Sequence, residues 1–283
     1  MKKYRLTKEQ LNGVPMYLGF INTESDIIPL YIGNEKKVLK KYLYCDELED
    51  KIYTIEYLEK EKDKFDDRFI LPEMLGVNKI VIGYIMNYIE NINLETLLAD
   101  WNIPFSKKIE CLKEIGNILE YCKHLRNNYH ELSGFYIGDL QVNNFIYNID
   151  TNKINICDLD SCKIGDNEPS SSKYLAWSKG IEKYSHKYPH SDDVYIPNEN
   201  SDIYCYIMLI MNFLCNKHVE LMEIDEFYKY LNYLDSLKWL GKRLFDKELI
   251  DIFSKIYTNE DNINPVHLVE SISYKALIRA RNF

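Results

Sequence analysis

The spacing of apolar residues along the chain changes near residue 91. Before that point, short apolar runs separated by turn residues predict strands over Val14–Ile21, Ile27–Ile32, Lys37–Tyr42, Phe69–Pro72 and Lys79–Met86, with a turn over residues 76–78. One helix is predicted among them, over Asp46–Asp63. After that point, apolar residues recur at intervals of three and four, as from Phe105 to about Leu125, which predicts buried helices. The pattern therefore predicts an α+β chain with a strand-rich first part and a helix-rich second part.

A predicted hairpin in the second part is flanked by oxygen-bearing side chains. Its strands cover Phe145–Tyr147 and Ile154–Ile156, and Asp139 and Asn144 precede it while Asp158 follows it. A hairpin brings its two ends together, so these three side chains are expected to converge. Two acids and an amide, with no His or Cys among them, suit a hard cation such as Mg²⁺. Such a cation would hold phosphate oxygens, and the stretch therefore indicates a phosphoryl-transfer centre.

The motif around this hairpin resembles that of a known family. The letters G-D-L-x-x-N-N, followed by an apolar hairpin that ends at D-L-D, are similar to the catalytic loop and metal-binding turn of the protein-kinase-like fold. The aminoglycoside phosphotransferases carry a related form. The resemblance implies that Asp139 accepts the proton of the attacking hydroxyl, and that Asn144 and Asp158 hold Mg²⁺ ions that bridge the phosphates of ATP. It also implies a bilobal fold, with a small β-rich N-lobe over residues 1–90 and a larger α-helical C-lobe over residues 91–283.

The same resemblance implies a lysine that contacts the nucleotide phosphates and an acid that holds this lysine. Lys40, in the predicted strand Lys37–Tyr42, has the place of the family's strand-three lysine, and the adjacent Lys41 is the competing candidate because strand side chains alternate between faces. Glu56, on the predicted helix, is the expected partner of Lys40. Glu49 and Glu59 on the same helix stay open as alternatives.

Two further segments resemble parts of this family. The stretch from Ile85 to Leu94 is similar to the hinge between the lobes. By that resemblance Met86 is the gatekeeper, and the carbonyl of Asn87 and the N–H of Ile89 face adenine. The segment Ser201–Ile207 is similar to the start of a buried central helix, in which Asp202 would hold the backbone of the catalytic loop by hydrogen bonds.

The chain also departs from the family pattern. The glycine-rich loop is absent, and Gly19 is the only glycine in the predicted first hairpin. Ile137 and Gly138 replace the His and Arg that precede the catalytic acid, which predicts no switch by a phosphorylated activation loop. Gln141 stands where Ser/Thr kinases carry a lysine that contacts the γ-phosphate.

Composition narrows the partners and the compartment. The chain has 283 residues and a formal net charge of −9, which argues against broad nucleic-acid binding because its acids outnumber the cations that could neutralise a phosphate backbone. Seven cysteines, without paired C-x-x-C spacing, are typical of reduced thiols in a cytoplasm. The longest apolar run, from Cys205 to Cys215, is too short to span a bilayer. We therefore expect a cytoplasmic protein that binds neither nucleic acid nor membrane.

Together these features lead us to expect an Mg²⁺- and ATP-dependent kinase of the protein-kinase-like fold that phosphorylates Ser/Thr on a protein partner. The Ser201–Ile207 segment favours this reading. The first alternative is a small-molecule phosphotransferase of the aminoglycoside or choline type. It is favoured by G-D-L, which stands where protein kinases have R-D-L. A pseudokinase scaffold, which binds a partner without catalysis, is the alternative that the missing glycine loop and Gln141 favour.

Overall fold

The computed structural model describes residues 1–16, 25–43, 48–165, 186–187, 195–215, 224–239, 242–243 and 247–258. Most of the predicted first strand, with Gly19, lies outside these residues. The mixed α+β class is confirmed: strands dominate up to residue 87 and helices dominate after residue 94. The boundary between two lobes at residues 90 and 91 stays a prediction.

The first part of the chain forms a five-stranded sheet. Its strands are β1 (Lys2–Arg5), β2 (Ser25–Ile32), β3 (Glu35–Tyr42), β4 (Pro72–Asn78) and β5 (Ile80–Asn87), in the spatial order β1-β4-β5-β3-β2. Neighbouring strands are antiparallel except β1, which runs parallel to β4. A short helix, α1 (Lys8–Leu11), follows β1, and α2 (Leu48–Lys60) follows β3. The pattern missed β1 because Lys-Lys-Tyr-Arg has no apolar run, as suits a charged strand at a sheet edge.

The predicted turn at residues 76–78 is wrong, because these residues belong to β4 and the chain turns at Lys79, which has a φ of 64°. The predicted strand Phe69–Pro72 likewise begins only at Pro72. Gly76 indicated a turn, but it serves close packing within the sheet: a Cβ added there would lie 2.9 Å from Leu39 Cδ1. Glycine in a strand marks such a close approach as often as it marks a turn.

The two faces of the sheet have separate apolar cores. On one face Leu39 packs with Ile28 and Ile85, and on the other Val38 packs with Ile55 of α2. Strand alternation places Lys40 on the face of Val38. Lys41 is on the opposite face, where its Nζ lies 3.4 Å from the carbonyl oxygen of Leu11.

Replacing Gly83 with Ala should destabilise the sheet by about 1–3 kcal/mol, the usual cost of overpacking. Gly83 lies opposite Lys41 across β3 and β5, and a Cβ there would be 1.9 Å from the carbonyl oxygen of Lys40. The two strands would have to separate, because that neighbour is backbone. The control is Gly134→Ala, where the nearest atom to an added Cβ is 3.9 Å away. Urea unfolding of both variants measures the difference, and equal midpoints would contradict the prediction.

The second part of the chain is mainly helical. Its helices are α3 (Leu94–Ala99), α4 (Phe105–Asn128), α5 (Glu199–Cys215), α6 (Ile224–Ser236) and α7 (Lys247–Thr258). A three-stranded sheet, β6 (Asn91–Asn93), β7 (Phe145–Asn148) and β8 (Lys153–Ile156), packs among them, and β7 and β8 form the predicted hairpin. Two further pairs of two-residue strands are β9 (His186–Lys187) with β10 (Tyr195–Ile196), and β11 (Lys238–Trp239) with β12 (Lys242–Arg243).

The core of this part forms where α4 and α5 meet. The stripe of α4 that includes Leu112 and Ile115 is buried, and α5 is apolar around most of its surface. The Tyr206 hydroxyl donates a hydrogen bond to the carbonyl of Leu112 (2.7 Å), which satisfies a polar group inside this core. Among the described helices, none combines the length and the hydropathy that crossing a bilayer needs.

Candidate functional site

A cavity of about 260 Å³ lies between the five-stranded sheet and the β7–β8 hairpin. Residues from both parts of the chain line it. They include seven of the eight predicted site residues: Lys40, Met86, Asn87, Ile89, Asp139, Asn144 and Asp158. The structure therefore brings these seven together.

Asp139 is held at the wall of this cavity by two amide side chains. Its carboxylate accepts hydrogen bonds from Gln141 Nε2 (3.0 and 3.1 Å) and from Asn144 Nδ2 (3.0 Å). The Asn144 amide also donates to the carbonyl of Asp139 (2.8 Å), which fixes the acid and the amide of the motif relative to each other. Burial raises the pKa of Asp139, and the two amide donors oppose the rise. Gln141 therefore places a neutral hydrogen-bond donor, and no positive charge, beside Asp139.

The backbone before Asp139 is held by a buried acid on α5. Asp202 accepts hydrogen bonds from the N–H of Ile137 and from the N–H of Gly138, both at 2.9 Å. The predicted hydrogen bonds between Asp202 and this stretch of backbone are therefore confirmed. Gly138 has a φ of 73°, a left-handed conformation that glycine adopts without steric cost. Burial raises the pKa of Asp202 to about 6, against the two N–H donors that lower it.

Replacing Asp202 with Ala should lower the free energy of unfolding by about 1–3 kcal/mol, the cost of leaving buried donors unpaired. We expect a value in the lower half of this range at pH 7, because the raised pKa shows that the ionised carboxylate is itself costly to bury. The control is Glu199→Ala in the same helix. Its partly exposed carboxylate pairs with Lys123 at 3.3 Å and with Arg126 at 3.4 Å, and it should contribute less than about 1 kcal/mol. Equal losses in thermal unfolding would argue against the buried acid as the support of this loop.

Asp158 follows β8 in a left-handed backbone conformation, with φ 62° and ψ 47°. Asp adopts this region more readily than most residues, and such conformations cluster at functional sites. The turn directs Asp158 to the cavity, where its carboxylate pairs with the Lys40 ammonium group. About a third of its side chain (32%) is exposed. Partial burial of the carboxyl group and the nearby Asp160 raise the pKa of Asp158, while Lys40 opposes the rise.

Asp160 is the second partner of Lys40, and sequence reasoning missed it. Both of its carboxylate oxygens lie 3.0 Å from Lys40 Nζ, and one accepts a 2.6 Å hydrogen bond from the Tyr42 hydroxyl. Lys51 of α2 lies 3.8 Å from the same carboxylate and donates to Ser161 Oγ at 3.1 Å. Burial alone would raise the pKa of Asp160, but the two lysines hold it well below its ordinary range. The carboxylates of Asp158 and Asp160 keep the pKa of Lys40 well above its ordinary value in spite of burial.

The predicted pairing of Lys40 with Glu56 is wrong. Lys40 pairs with Asp158 and Asp160, whereas Glu56 is exposed on α2 and is not among the residues that line the cavity. The alternatives do not take its place: Glu49 is exposed, and Glu59 pairs with Lys62 at 3.2 Å. The face of α2 that meets the cavity carries Lys51, because Lys51 lies in the same stripe as Ile55 and Leu58.

One signal in the sequence could have identified Lys51. It comes three residues after Leu48 and four before Ile55, so it interrupts the apolar face of a helix, and a lysine on such a face needs a buried anion. The matching signal is the second acid of D-L-D, Asp160, which comes two residues after Asp158 and contacts Lys51.

The predicted hinge residues lie along one edge of the cavity. Met86 ends the buried part of β5 and is 8% exposed. The side-chain oxygen of Asn87 accepts a 2.6 Å hydrogen bond from Lys37 Nζ, and the carbonyl of Ile89 accepts one from Asn91 Nδ2 (2.6 Å). The N–H of Ile89 has no backbone acceptor within the described ranges.

The three side chains of the predicted phosphoryl-transfer centre line the cavity and carry oxygen atoms. Within the described residues, no group of three or more His, Cys, Asp and Glu side chains is arranged to hold a metal ion. Asp139, Asn144 and Asp158 supply oxygen atoms from two acids and one amide. Such a set suits Mg²⁺, which keeps several waters and takes one or two carboxylates together with phosphate oxygens. Comparison of the sequence with protein-family models and with characterised proteins found no match.

Proposed function

We propose that this chain is an Mg²⁺- and ATP-dependent phosphotransferase of the protein-kinase-like fold, which transfers phosphate to Ser/Thr of a protein partner. The observation that carries the proposal is the meeting of Lys40, Asp139, Asn144 and Asp158 in one cavity between a sheet and a hairpin. Lys40 comes about a hundred positions before the other three residues, whose spacing resembles that of the family, and the fold brings it to them. A bilobal arrangement of residues 1–90 and 91–283 is part of the proposal.

The lining and the volume of the cavity support a nucleotide as its ligand. Val38, Met86 and Ile146 supply apolar lining suited to a flat base, and Lys40, Asp139 and Asp158 supply charged groups. Asn143 also lines the cavity, and its buried side-chain oxygen has no hydrogen-bond partner within the described residues. The volume of about 260 Å³ is close to the lower end of the range of roughly 300–1,000 Å³ for ligand pockets.

In the proposed reaction each side chain has one task. Lys40 would bind the α- and β-phosphates, Asn144 and Asp158 would hold Mg²⁺, and Asp139 would orient the acceptor hydroxyl and take its proton. Bound Mg²⁺ supplies neutralisation of the charge on the phosphates. The raised pKa of Asp139 makes this carboxylate a better proton acceptor than an exposed aspartate. The backbone N–H of Ile89 and the carbonyl of Asn87 would bind the adenine edge.

The test is transfer of labelled γ-phosphate from ATP to a generic protein substrate with and without Mg²⁺. The chain should transfer label, and Asp139→Asn should not, whereas Asp150→Asn, an exposed acid in the β7–β8 turn, should behave like the unaltered chain. A rise in melting temperature with ATP that requires Mg²⁺ tests binding separately, since a ligand that binds the native state raises stability. No shift with ATP at any Mg²⁺ concentration would overturn the proposal.

Two observations favour the alternatives. Gln141 supplies no charge beside Asp139, and α2 supplies no acid to Lys40, as in a scaffold that binds nucleotide without transfer. The scaffold is favoured if ATP shifts the melting temperature but label reaches neither protein nor small hydroxyl acceptors. Transfer to aminoglycoside or choline acceptors alone would favour the small-molecule phosphotransferase.

A further inference from the structure

One buried carboxylate at the end of the cavity is shared by two lysines. The side chain of Asp160 has no exposed surface, and those of Lys40 and Lys51 are each 7% exposed. Asp160 lies within 3.0 Å of Lys40 Nζ and 3.8 Å of Lys51 Nζ, and the Tyr42 hydroxyl donates to it as well. Both lysines line the cavity. Asp160 thus fixes two ammonium groups, from β3 and from α2, side by side in one wall.

The contact of Asp158 with Lys40 is more exposed to solvent than the contact of Asp160 with Lys40. Its side chain is 32% exposed and lines the cavity, whereas the side chain of Asp160 is fully buried behind it. An ion pair that water reaches contributes little and exchanges easily, whereas removing one partner of a buried pair is costly. Of the two contacts of Lys40, the one to Asp158 is therefore the one that a cation can replace.

We propose that Asp160 is a positioning residue that holds Lys40 and Lys51 as a two-lysine site for the polyphosphate of a nucleotide, and that Asp158 leaves Lys40 for the divalent cation. The identity of the ligand rests on the proposed function. Asp160 then holds Lys40 in place, which is the task expected of an acid of α2. Helix α2 contributes Lys51 as a second cation instead.

The charges of the cavity support this division of tasks. Among the described residues, Asp139, Asp158 and Asp160 face two ammonium groups. When all five groups are ionised, this cluster carries one net negative charge, which would repel polyphosphate. One divalent cation at Asp158 reverses the sign of the cluster. Nucleotide binding should therefore depend on the cation and on both lysines, with Asp160 required to keep the lysines in place.

The experiment compares two isosteric variants of the full chain, Asp160→Asn and Asp158→Asn, by ATP affinity with and without Mg²⁺. Asp160→Asn should weaken ATP binding about tenfold or more under both conditions, because both ammonium groups lose the buried carboxylate that they share. Asp158→Asn should weaken it only when Mg²⁺ is present. Lys51→Met should cost about tenfold, and Lys60→Met, an exposed lysine of the same helix, should stay within about twofold.

A second measurement uses neither nucleotide nor metal. An acetylating reagent followed by mass spectrometry gives the labelling rate of Lys40 and Lys51 relative to Lys79, which is exposed in the β4–β5 turn. Asp160→Asn should raise the rate for both lysines several-fold, and Asp158→Asn should leave Lys51 unchanged. If Asp160→Asn does not fold, Tyr42→Phe takes its place, because it removes one hydrogen bond that orients Asp160.

The outcomes separate this proposal from the proposed function. Unchanged labelling in Asp160→Asn, or in Tyr42→Phe where that variant is used, overturns the positioning role of Asp160. Equal weakening of metal-free ATP binding in Asp158→Asn and Asp160→Asn overturns the division of tasks. Absence of ATP binding in the unaltered chain overturns the proposed function and the two-lysine ligand, while the labelling rates still decide whether Asp160 positions the lysines.

Discussion

Replacing Asp139 with Asn should lower phosphoryl transfer by about 10²–10⁴-fold, the usual contribution of a general base. The same variant should be more stable than the unaltered chain. Burial raises the pKa of Asp139, which means that its ionised form is less favourable in the folded chain than in the unfolded chain at neutral pH. Asn keeps the shape, and its side-chain oxygen can still accept a hydrogen bond from Asn144 or Gln141. Activity and stability should therefore change in opposite directions.

The stability gain of Asp139→Asn should depend on pH. The contribution of a group with a raised pKa is most favourable below its unfolded pKa, where the group is protonated in both states, and is lost as pH rises through the folded pKa. The gain should accordingly be present at pH 7 and shrink as pH falls toward the ordinary value of 3.8. Melting temperatures across this range measure it, at about 2–4 °C for each kcal/mol in a chain of this size. A melting temperature below that of the unaltered chain at pH 7 would contradict the account of Asp139 as a costly buried charge.

Much of the fold could be predicted from apolar spacing. The α4 stripe and the β7–β8 hairpin are where the pattern placed them, because a buried face imposes its period on every residue of the element. The prediction failed where an element has no such face. β1 is a four-residue edge strand of charged residues, and its position depends on pairing with β4, which is more than sixty residues away.

The candidate site shows the same limit. The spacing of Asp139 and Asn144 is local, and so is the hairpin that brings Asp158 near them, so these residues could be found in the sequence. The partner of Lys40 could not be found in this way, since it depends on which side of α2 faces the sheet and on how far the loop after Asp158 reaches back. Here that side carries Lys51, and the anion comes from Asp160 instead of α2.

Replacing Lys40 with Met should remove most nucleotide binding and lower the free energy of unfolding by about 3–5 kcal/mol, the cost of breaking a buried ion pair. Met fills the space of the lysine stem but leaves the buried Asp160 with Lys51 at 3.8 Å as its nearest cation, and it leaves Asp158 beside a like charge. The raised pKa of Lys40 gives the same sign: a cation whose pKa is raised on folding stabilises the fold at every pH below its unfolded pKa.

The matched control is Lys41→Met, one position away on the opposite face of β3. Lys41 Nζ contacts only the carbonyl oxygen of Leu11, at 3.4 Å, within the described residues, so its removal should change the free energy of unfolding by less than about 1 kcal/mol and leave ATP affinity within about twofold. Urea unfolding and ATP titration of the two variants compare the two faces of a single strand. Similar losses from both lysines would show that stability depends on strand charge in general. A loss of stability and of ATP affinity confined to Lys40 would support the pairing of this lysine with the carboxylates of residues 158 and 160 as the cause of both effects.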